Sequence, residues 1–184
     1  MKTLLFGLIL AVSLQSAVAQ STPAPAEEVL NTAVAKAARE NKSVLAIFHA
    51  SWCGWCHKMT ASLNDPAIKP YFDKHYIIAD FTVYESKGKE HLENPGAAEL
   101  LKKYNNADQG LPTWLVFDNK KNLIADSQIR PQGAAMTTKG QNAGCPAAPE
   151  EILHFINCLK MSSGLNTEEL AQIAAVFQKN QVKH

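Results

Sequence analysis

The stretch SWCGWCHKM, Ser51 to Met59, decides how the rest of the chain is read. As Cys53-Gly54-Trp55-Cys56 it is a dithiol pair at redox spacing. As Cys53-x-x-Cys56-His57 it spells the covalent attachment site of a c-type haem. The two chemistries demand different surroundings, so the flanking residues arbitrate. Directly upstream, SVLAIFHA (43–50) gathers Val44, Leu45, Ile47 and Phe48 into a run whose length and β-branched content predict a buried strand. Haem attachment calls for a small helical fold and a distal ligand, and a motif that follows a strand weighs against it. A zinc site from Cys53, Cys56, His57 and one later cysteine is weaker still, because Cys145 and Cys158 are not spaced as a second ligand pair.

Outward from the motif, helical and strand patterns alternate. Before the strand, EEVLNTAVAKAAREN places Val29, Ala33, Val34, Ala37 and Ala38 at three- and four-residue steps, with acids first and bases later. That predicts an amphipathic helix over roughly 26–40. After the motif, CHKMTASLN is helix-compatible, and Asp65-Pro66 reads as a helix restart with Asp65 as cap and Pro66 as first residue. HYIIADFTVYE (75–85) alternates as a strand, and GAAELLKKYN (96–105) is a short helix. TWLVFD (113–118) is a strand that turns through Asp118–Asn122 into LIADSQI, a hairpin. Residues 129–149 have no periodicity and many turn formers, and read as a long loop insertion. EEILHFINCLKM (150–161) and TEELAQIAAVFQKN (167–180) close the chain as amphipathic helices, the last one capped at Thr167. Strands separated by helices predict parallel pairing through right-handed crossovers, with the hairpin as an antiparallel edge. The fold class is α/β: one mixed sheet flanked by helices, with an extra N-terminal and an extra C-terminal helix.

Of the 184 residues, 46% are hydrophobic and 19% charged, the proportions of a single domain with a real core. The first residues stand apart. Lys2, the apolar run 4–14 and Ala17-Val18-Ala19 predict a signal peptide over 1–19, cut after Ala19. The run is too short for a membrane span, which needs about 20 residues. A Pro/Ala-rich linker (20–26) would follow, then the domain at 27–184. No later stretch is apolar and long enough to span, so no stable membrane insertion is expected after cleavage. The chain carries 18 basic and 17 acidic residues, and loss of Lys2 would leave 17 of each. No basic run survives to recruit a nucleic acid or an anionic membrane surface. Export would put the four cysteines in an oxidising compartment. A bacterial periplasm is the first expectation for location, and secretion to the exterior the second.

The strand-then-motif junction AIFHASWCGWCHKM (46–59) and the GLPTWLVFD segment (110–118) together resemble the thioredoxin superfamily over roughly 27–161. The nearest likeness is to exported single-domain thioredoxin-like proteins, including anterior-gradient-type relatives with a helix before the first strand. The resemblance implies that Pro112 is cis and lies opposite the two cysteines. It implies that the backbone of Leu111 can pair with a substrate strand, and that the 129–149 insertion lies beside the cysteines as a lid or specificity element. Two departures stand out. Many relatives carry a buried acid six residues before the first cysteine, where it helps take the proton from the resolving thiol, and this chain has Ile47. Relatives often carry Lys after the second cysteine, where this chain has His57, either a pH-dependent stabiliser of the thiolate or a solvated surface residue.

Disulfide exchange needs a thiolate, and a cysteine at the head of a helix is helped toward one by free backbone N–H groups and the helix dipole. Cys53 is therefore assigned as the exposed attacking sulfur and Cys56, one turn on, as the more buried resolving one. Gly54 and Trp55 fill the gap between them, and Trp52 with Trp55 is an apolar collar suited to extended peptide, packing being the alternative. His49 is a core histidine or a neighbour of the redox site. Cys145, in the insertion, and Cys158, at the edge of the Ile152, Phe155, Ile156 and Leu159 face, are expected to form a structural disulfide. A second redox pair feeding electrons to Cys53–Cys56 is the sharper alternative.

The reading is a thiol–disulfide oxidoreductase acting on protein cysteines outside the cytoplasm. It would need no metal or organic cofactor, and a membrane redox partner would recharge it. Its competitor is a non-catalytic thioredoxin-like binding or chaperone module, for which Ile47 is the best support. The direction of exchange is left open by Gly54-Trp55.

Overall fold

Strand β1 (Ser43–His49) is buried along its whole centre, Val44 through Phe48, because it runs down the middle of the sheet and faces protein on both sides. The computed structural model describes residues 22–181, so the expected signal peptide (1–19) and the first linker residues lie outside the described part. β1 pairs in parallel with β2 (Tyr76–Thr82) and antiparallel with β3 (Thr113–Phe117), and β4 (Leu123–Asp126) completes the order β2-β1-β3-β4. Around this mixed sheet lie α1 (Ala26–Glu40), α2 (Gly54–Leu63), α3 (Lys69–His75), α4 (Ala97–Lys103), α5 (Pro149–Ser162) and α6 (Thr167–Gln178).

Alternation along the central strands divides the core in two. Leu45 and Ile47 of β1 and Trp114 and Val116 of β3 face Met59, Phe72, Phe155, Ile173 and Phe177, from α2, α3, α5 and α6. Val44, Ala46 and Phe48 with Leu115 and Phe117 face Leu30, Ala33 and Ala37 of α1 and Leu100 and Leu101 of α4. On the first face Phe155 sets its ring edge-on to Trp114 (5.2 Å) and Phe177 (5.0 Å), joining α5, sheet and α6. Each such fully buried side chain stabilises by about 1.5–3 kcal/mol, which is how α6 becomes part of the domain.

The structure corrects several local expectations. Parallel pairing through helical crossovers holds only for β1 and β2. Thr82 and Thr113 both lie at the end of β1 that leads into the cysteines, level with His49 and Phe48. α4, with seven residues, rises only about 10 Å, and the chain comes back to the end it left, so β3 runs antiparallel. Asp65-Pro66 does not restart a helix. Asp65 closes a turn, its carboxylate accepting from Ala67 N–H (3.0 Å), and α3 begins at Lys69, after Ile68 turns into the core at φ −123°. α6 is capped by Asn166 rather than Thr167, with Glu169 reaching back to the Asn166 N–H. The linker is tied down at its end: Ala26 is buried and donates its N–H to Pro95 O (2.8 Å), and Asn94 Nδ2 donates to Ala24 O (2.9 Å).

The insertion is more ordered than its composition suggests. β5 (Gln128–Ile129) pairs with β6 (Gln141–Asn142) in a short antiparallel ribbon. Polar side chains hold it. Gly140 N–H donates to Gln128 Oε1, Asn105 Nδ2 to Thr137 O, and the Arg130 guanidinium forks onto Asp126.

Candidate active site

β1 delivers the chain to Ala50, and the turn at Ser51-Trp52 leads to Cys53, the residue that caps α2. Cys53 keeps an extended backbone (φ −83°, ψ 100°), and its sulfur accepts the Cys56 N–H at 3.1 Å. A sulfur in that place meets an orphan backbone donor and the positive end of the helix dipole, both of which favour negative charge on it. Cys53 and Cys56 are joined as a disulfide, with Cα atoms 5.2 Å apart. Gly54 opens α2 with nothing near the place a Cβ would occupy, so no contact requires glycine there.

The expected contrast in exposure between the two cysteines is not present. Cys53 is 3% exposed and Cys56 4%, packed with Ala50 and half-buried Leu111. The tryptophans stand out instead. Trp52 is 56% exposed and donates Nε1–H to Tyr84 O at 2.9 Å, while Trp55, 41% exposed, has the Lys58 ammonium 4.1 Å above its ring. His57 lies on the outer side of α2, with Nε2 3.2 Å from Ser51 O. His49 ends β1, half-buried and level with Thr82.

On the far side of the disulfide the Leu111–Pro112 peptide is cis. Thr113 Oγ1 donates to Gly110 O (2.8 Å), and Asn142 of β6 donates its Nδ2–H to Gly110 O and to Pro112 O (3.1 Å). A groove of about 440 Å³ lies between Trp55, Gly110 and Leu111 on one side and Asn142 to Cys145 and Glu151 on the other. The insertion therefore builds one wall of the cleft beside the cysteines.

Cys145 and Cys158 are not bridged; both are buried free thiols. Their side chains go to different neighbours. Cys145 sits in the groove wall, pinned by the Trp114 Nε1–H to Gly144 O hydrogen bond (2.9 Å), and meets Asn180 Nδ2 at 3.5 Å. Cys158 lies under β4, 3.9 Å from Asp126 O and 3.7 Å from His154 Nε2. Burial pushes each thiol up to about 12, so both stay protonated and unreactive at neutral pH.

Three residues that the sequence pattern left unmarked belong to this neighbourhood. Glu85 accepts both the N–H and the hydroxyl of Ser51, the latter at 2.7 Å. Asn142 tethers the proline loop. Asp80 stands level with Ile47 on the adjacent strand. Burial pushes the Asp80 carboxyl up, with His49 drawing it partly back, although the residue keeps an exposed side at the sheet edge. Strand alternation carries the signal for Asp80, since it shares the face of Tyr76. The other two contacts span more than thirty residues and leave no local trace. Among the described residues no three His, Cys, Asp or Glu side chains converge as a metal site, and no helix is long and apolar enough to cross a membrane.

A family model described as thioredoxin-like matches residues 26–119, from the first residue of α1 to just past β3. The chain belongs to the thioredoxin-like family. Among curated proteins none matches it. Among solved structures, the disulphide isomerase from Xylella fastidiosa is similar at 18% identity and a TM-score of 0.51, covering 90% of this chain and 98% of that one. The oxidised C-terminal domain of DsbD from Neisseria meningitidis is 21% identical, covering 65% and 87%, with a TM-score of 0.39. A thioredoxin-fold protein from Helicobacter pylori is 18% identical, covering 76% and 83%, with a TM-score of 0.41. This thioredoxin-like chain thus has an oxidoreductase-type fold with its disulfide at the CxxC position.

Proposed function

We propose that the protein is a thiol–disulfide oxidoreductase that exchanges disulfides with the cysteines of other proteins outside the cytoplasm. The observation that carries this is the Cys53 sulfur at the head of α2, receiving the Cys56 N–H, with Leu111, which packs on the pair, and Trp55 lining an open groove. In the reducing direction the Cys53 thiolate attacks one sulfur of a client cystine. A Cys53–client bond forms, the client S–S bond breaks, and the other client sulfur leaves as a thiolate and takes up a proton. The Cys56 thiolate then attacks the Cys53 sulfur, forming the 53–56 disulfide and releasing the second client thiol. Two electrons pass from the pair to the client, and the oxidising direction is the reverse.

The exposed rings of Trp52 and Trp55 and the groove beside Leu111 suit an extended client segment, with the free edge of the proline loop as its pairing partner. The residue 1–19 pattern supports export, to the periplasm first and the exterior second. A membrane-borne redox partner would then restore the pair after each turnover. A non-catalytic binding or chaperone module is the second reading, favoured by Ile47 and by the burial of both sulfurs.

Insulin disulfide reduction separates them. Cys53→Ser should abolish turnover, and Cys56→Ser should accumulate mixed disulfides with clients. Wild-type protein that neither reduces nor oxidises a client cystine, and a Cys56→Ser variant that traps nothing, would favour the binding module.

A further inference from the structure

The loop that follows β2 is stitched to the residues that lead into the disulfide. Val83 N–H donates to His49 O (2.9 Å), Trp52 Nε1–H to Tyr84 O (2.9 Å), and Ser51 gives its N–H and its hydroxyl to the two carboxylate oxygens of Glu85. Glu85 is itself held, its N–H donating to Glu93 Oε1 at 2.7 Å. Between these anchors Tyr84 sits at φ 56°, a left-handed conformation that a bulky side chain adopts only where its neighbours over-determine it. Burial pushes the Glu85 carboxyl up, but the Ser51 donors, the Ser86 N–H and nearby Lys89 outweigh it and hold the group below its ordinary value. A fixed anion therefore grips the residue two positions before Cys53.

We infer that Glu85 is a positioning residue for disulfide exchange, holding Ser51-Trp52 in place and moderating the reactivity of Cys53 with its charge. This rests on the reading of Cys53 as the nucleophile. The helix head favours a thiolate, whereas a carboxylate beside the same turn opposes it. The other charged or titratable groups around the turn are Glu93, whose carboxylate takes the Glu85 N–H, Lys89, facing Glu85, Tyr84 and His49, whose carbonyls take the Trp52 and Val83 N–H groups, His57, reaching Ser51 O from α2, and Lys58, lying over Trp55. Glutamine at position 85 keeps the clamp, since its Oε1 accepts the Ser51 N–H and its Nε2 donates to the Ser51 hydroxyl oxygen. It removes only the charge. Less opposition to the thiolate stabilises the reduced pair and makes the disulfide more oxidising.

The test is alkylation of the reduced full-length protein with iodoacetamide across pH 5 to 9 (roughly the titration range of a perturbed thiol), following Cys53 by peptide mass, with equilibration against glutathione in parallel. Glu85→Gln is expected to move the alkylation midpoint to lower pH, raising the rate about threefold at a fixed pH below it, and to shift the equilibrium toward the dithiol form. Ser51→Ala, which keeps the charge, should leave the midpoint in place. Lys89→Glu, on the exposed side of the loop, should raise it, and remains informative if Glu85→Gln does not fold. Identical midpoints in wild type, Glu85→Gln and Lys89→Glu would overturn the inference. A wild-type Cys53 no more reactive than a free cysteine would instead overturn the oxidoreductase reading, and the two failures are distinguishable because only the second shows in the unmutated protein.

Discussion

Asp80 lies level with Ile47 in the parallel β1–β2 pair, so the two side chains share one face of the sheet. The Ile47 position is where many thioredoxin-like relatives carry an acid that takes the resolving cysteine's proton. Here an acid stands one strand over. Its carboxyl is pushed up by burial, which brings its proton affinity nearer that of a thiol and makes it a better-matched base than an ordinary aspartate. Asp80→Asn is expected to slow decay of the client mixed disulfide about tenfold while leaving Cys53 alkylation unchanged. Quenched-flow separation of the two steps checks this; equal rates for both proteins would assign the proton to some other group.

The Arg130–Asp126 pair anchors the insertion. Its side chains are 7% and 0% exposed, with guanidinium to carboxylate contacts of 2.6 and 2.7 Å, and Asp126 also accepts from Asn106 Nδ2 and Gln128 N–H. Replacing one partner strands the other charge in the interior. Arg130→Met should therefore cost about 3–5 kcal/mol in urea unfolding. It should also expose the 131–140 segment to proteolysis. A loss under about 1 kcal/mol, the size seen for exposed ion pairs, would mean that water reaches Asp126.

The central architecture was legible in the sequence because it rests on local pattern. The small-residue stripe Ala33 and Ala37 marks α1 over the span observed, 26–40, and the apolar run 44–48 marks β1. The direction of β3 was not legible, since it depends on how far α4 carries the chain rather than on the strand's own residues. The insertion looked structureless because Arg130, Gln128 and Asn105 order it through hydrogen bonds rather than through an apolar repeat. The CxxC pair announces itself by spacing. Its supports do not: Ser51 meets Glu85, and Gly110 meets Asn142, across gaps of 34 and 32 residues. Cys145 and Cys158 misled for a related reason, as spacing along the chain says nothing of which way two side chains leave the backbone.

Those two thiols make stability fall in alkali. Each is raised in the folded protein to about 12 from 9.0, so folded and unfolded states are equally protonated below pH 9 and the thiols contribute no pH dependence there. Between about 9 and 12 the unfolded state loses protons that the folded state retains, and unfolding becomes easier by about 1.4 kcal/mol per pH unit for each thiol. Comparing urea midpoints at pH 8 and 10.5 for wild type and for Cys145→Ala/Cys158→Ala isolates this from other titrations. The double variant should show the shallower decline, and equal slopes would contradict the assignment of both as buried free thiols.

Asn142 joins the insertion to the proline loop and provides the most direct test of what the groove does. Its Nδ2–H donates to the carbonyls on either side of Leu111, those of Gly110 and Pro112, and its Oδ1 accepts the Gly144 N–H at 3.2 Å. With its neighbours' carbonyls engaged, Leu111 is the position at which the proposed client strand would pair, and the register of that client against Cys53 would be set there. Asn142→Ala removes both bonds to the loop, and neutral hydrogen bonds contribute about 0.5–1.5 kcal/mol each. KM for a protein client should rise roughly five- to tenfold for that loss, with kcat and the Cys53 alkylation profile unchanged. Reduction of a small disulfide such as that of hydroxyethyl disulfide, too short to reach the groove wall, should proceed at the wild-type rate. A fall in kcat at constant KM, or an equal loss on the small disulfide, would place Asn142 in support of the cysteines themselves and remove the groove from client recognition.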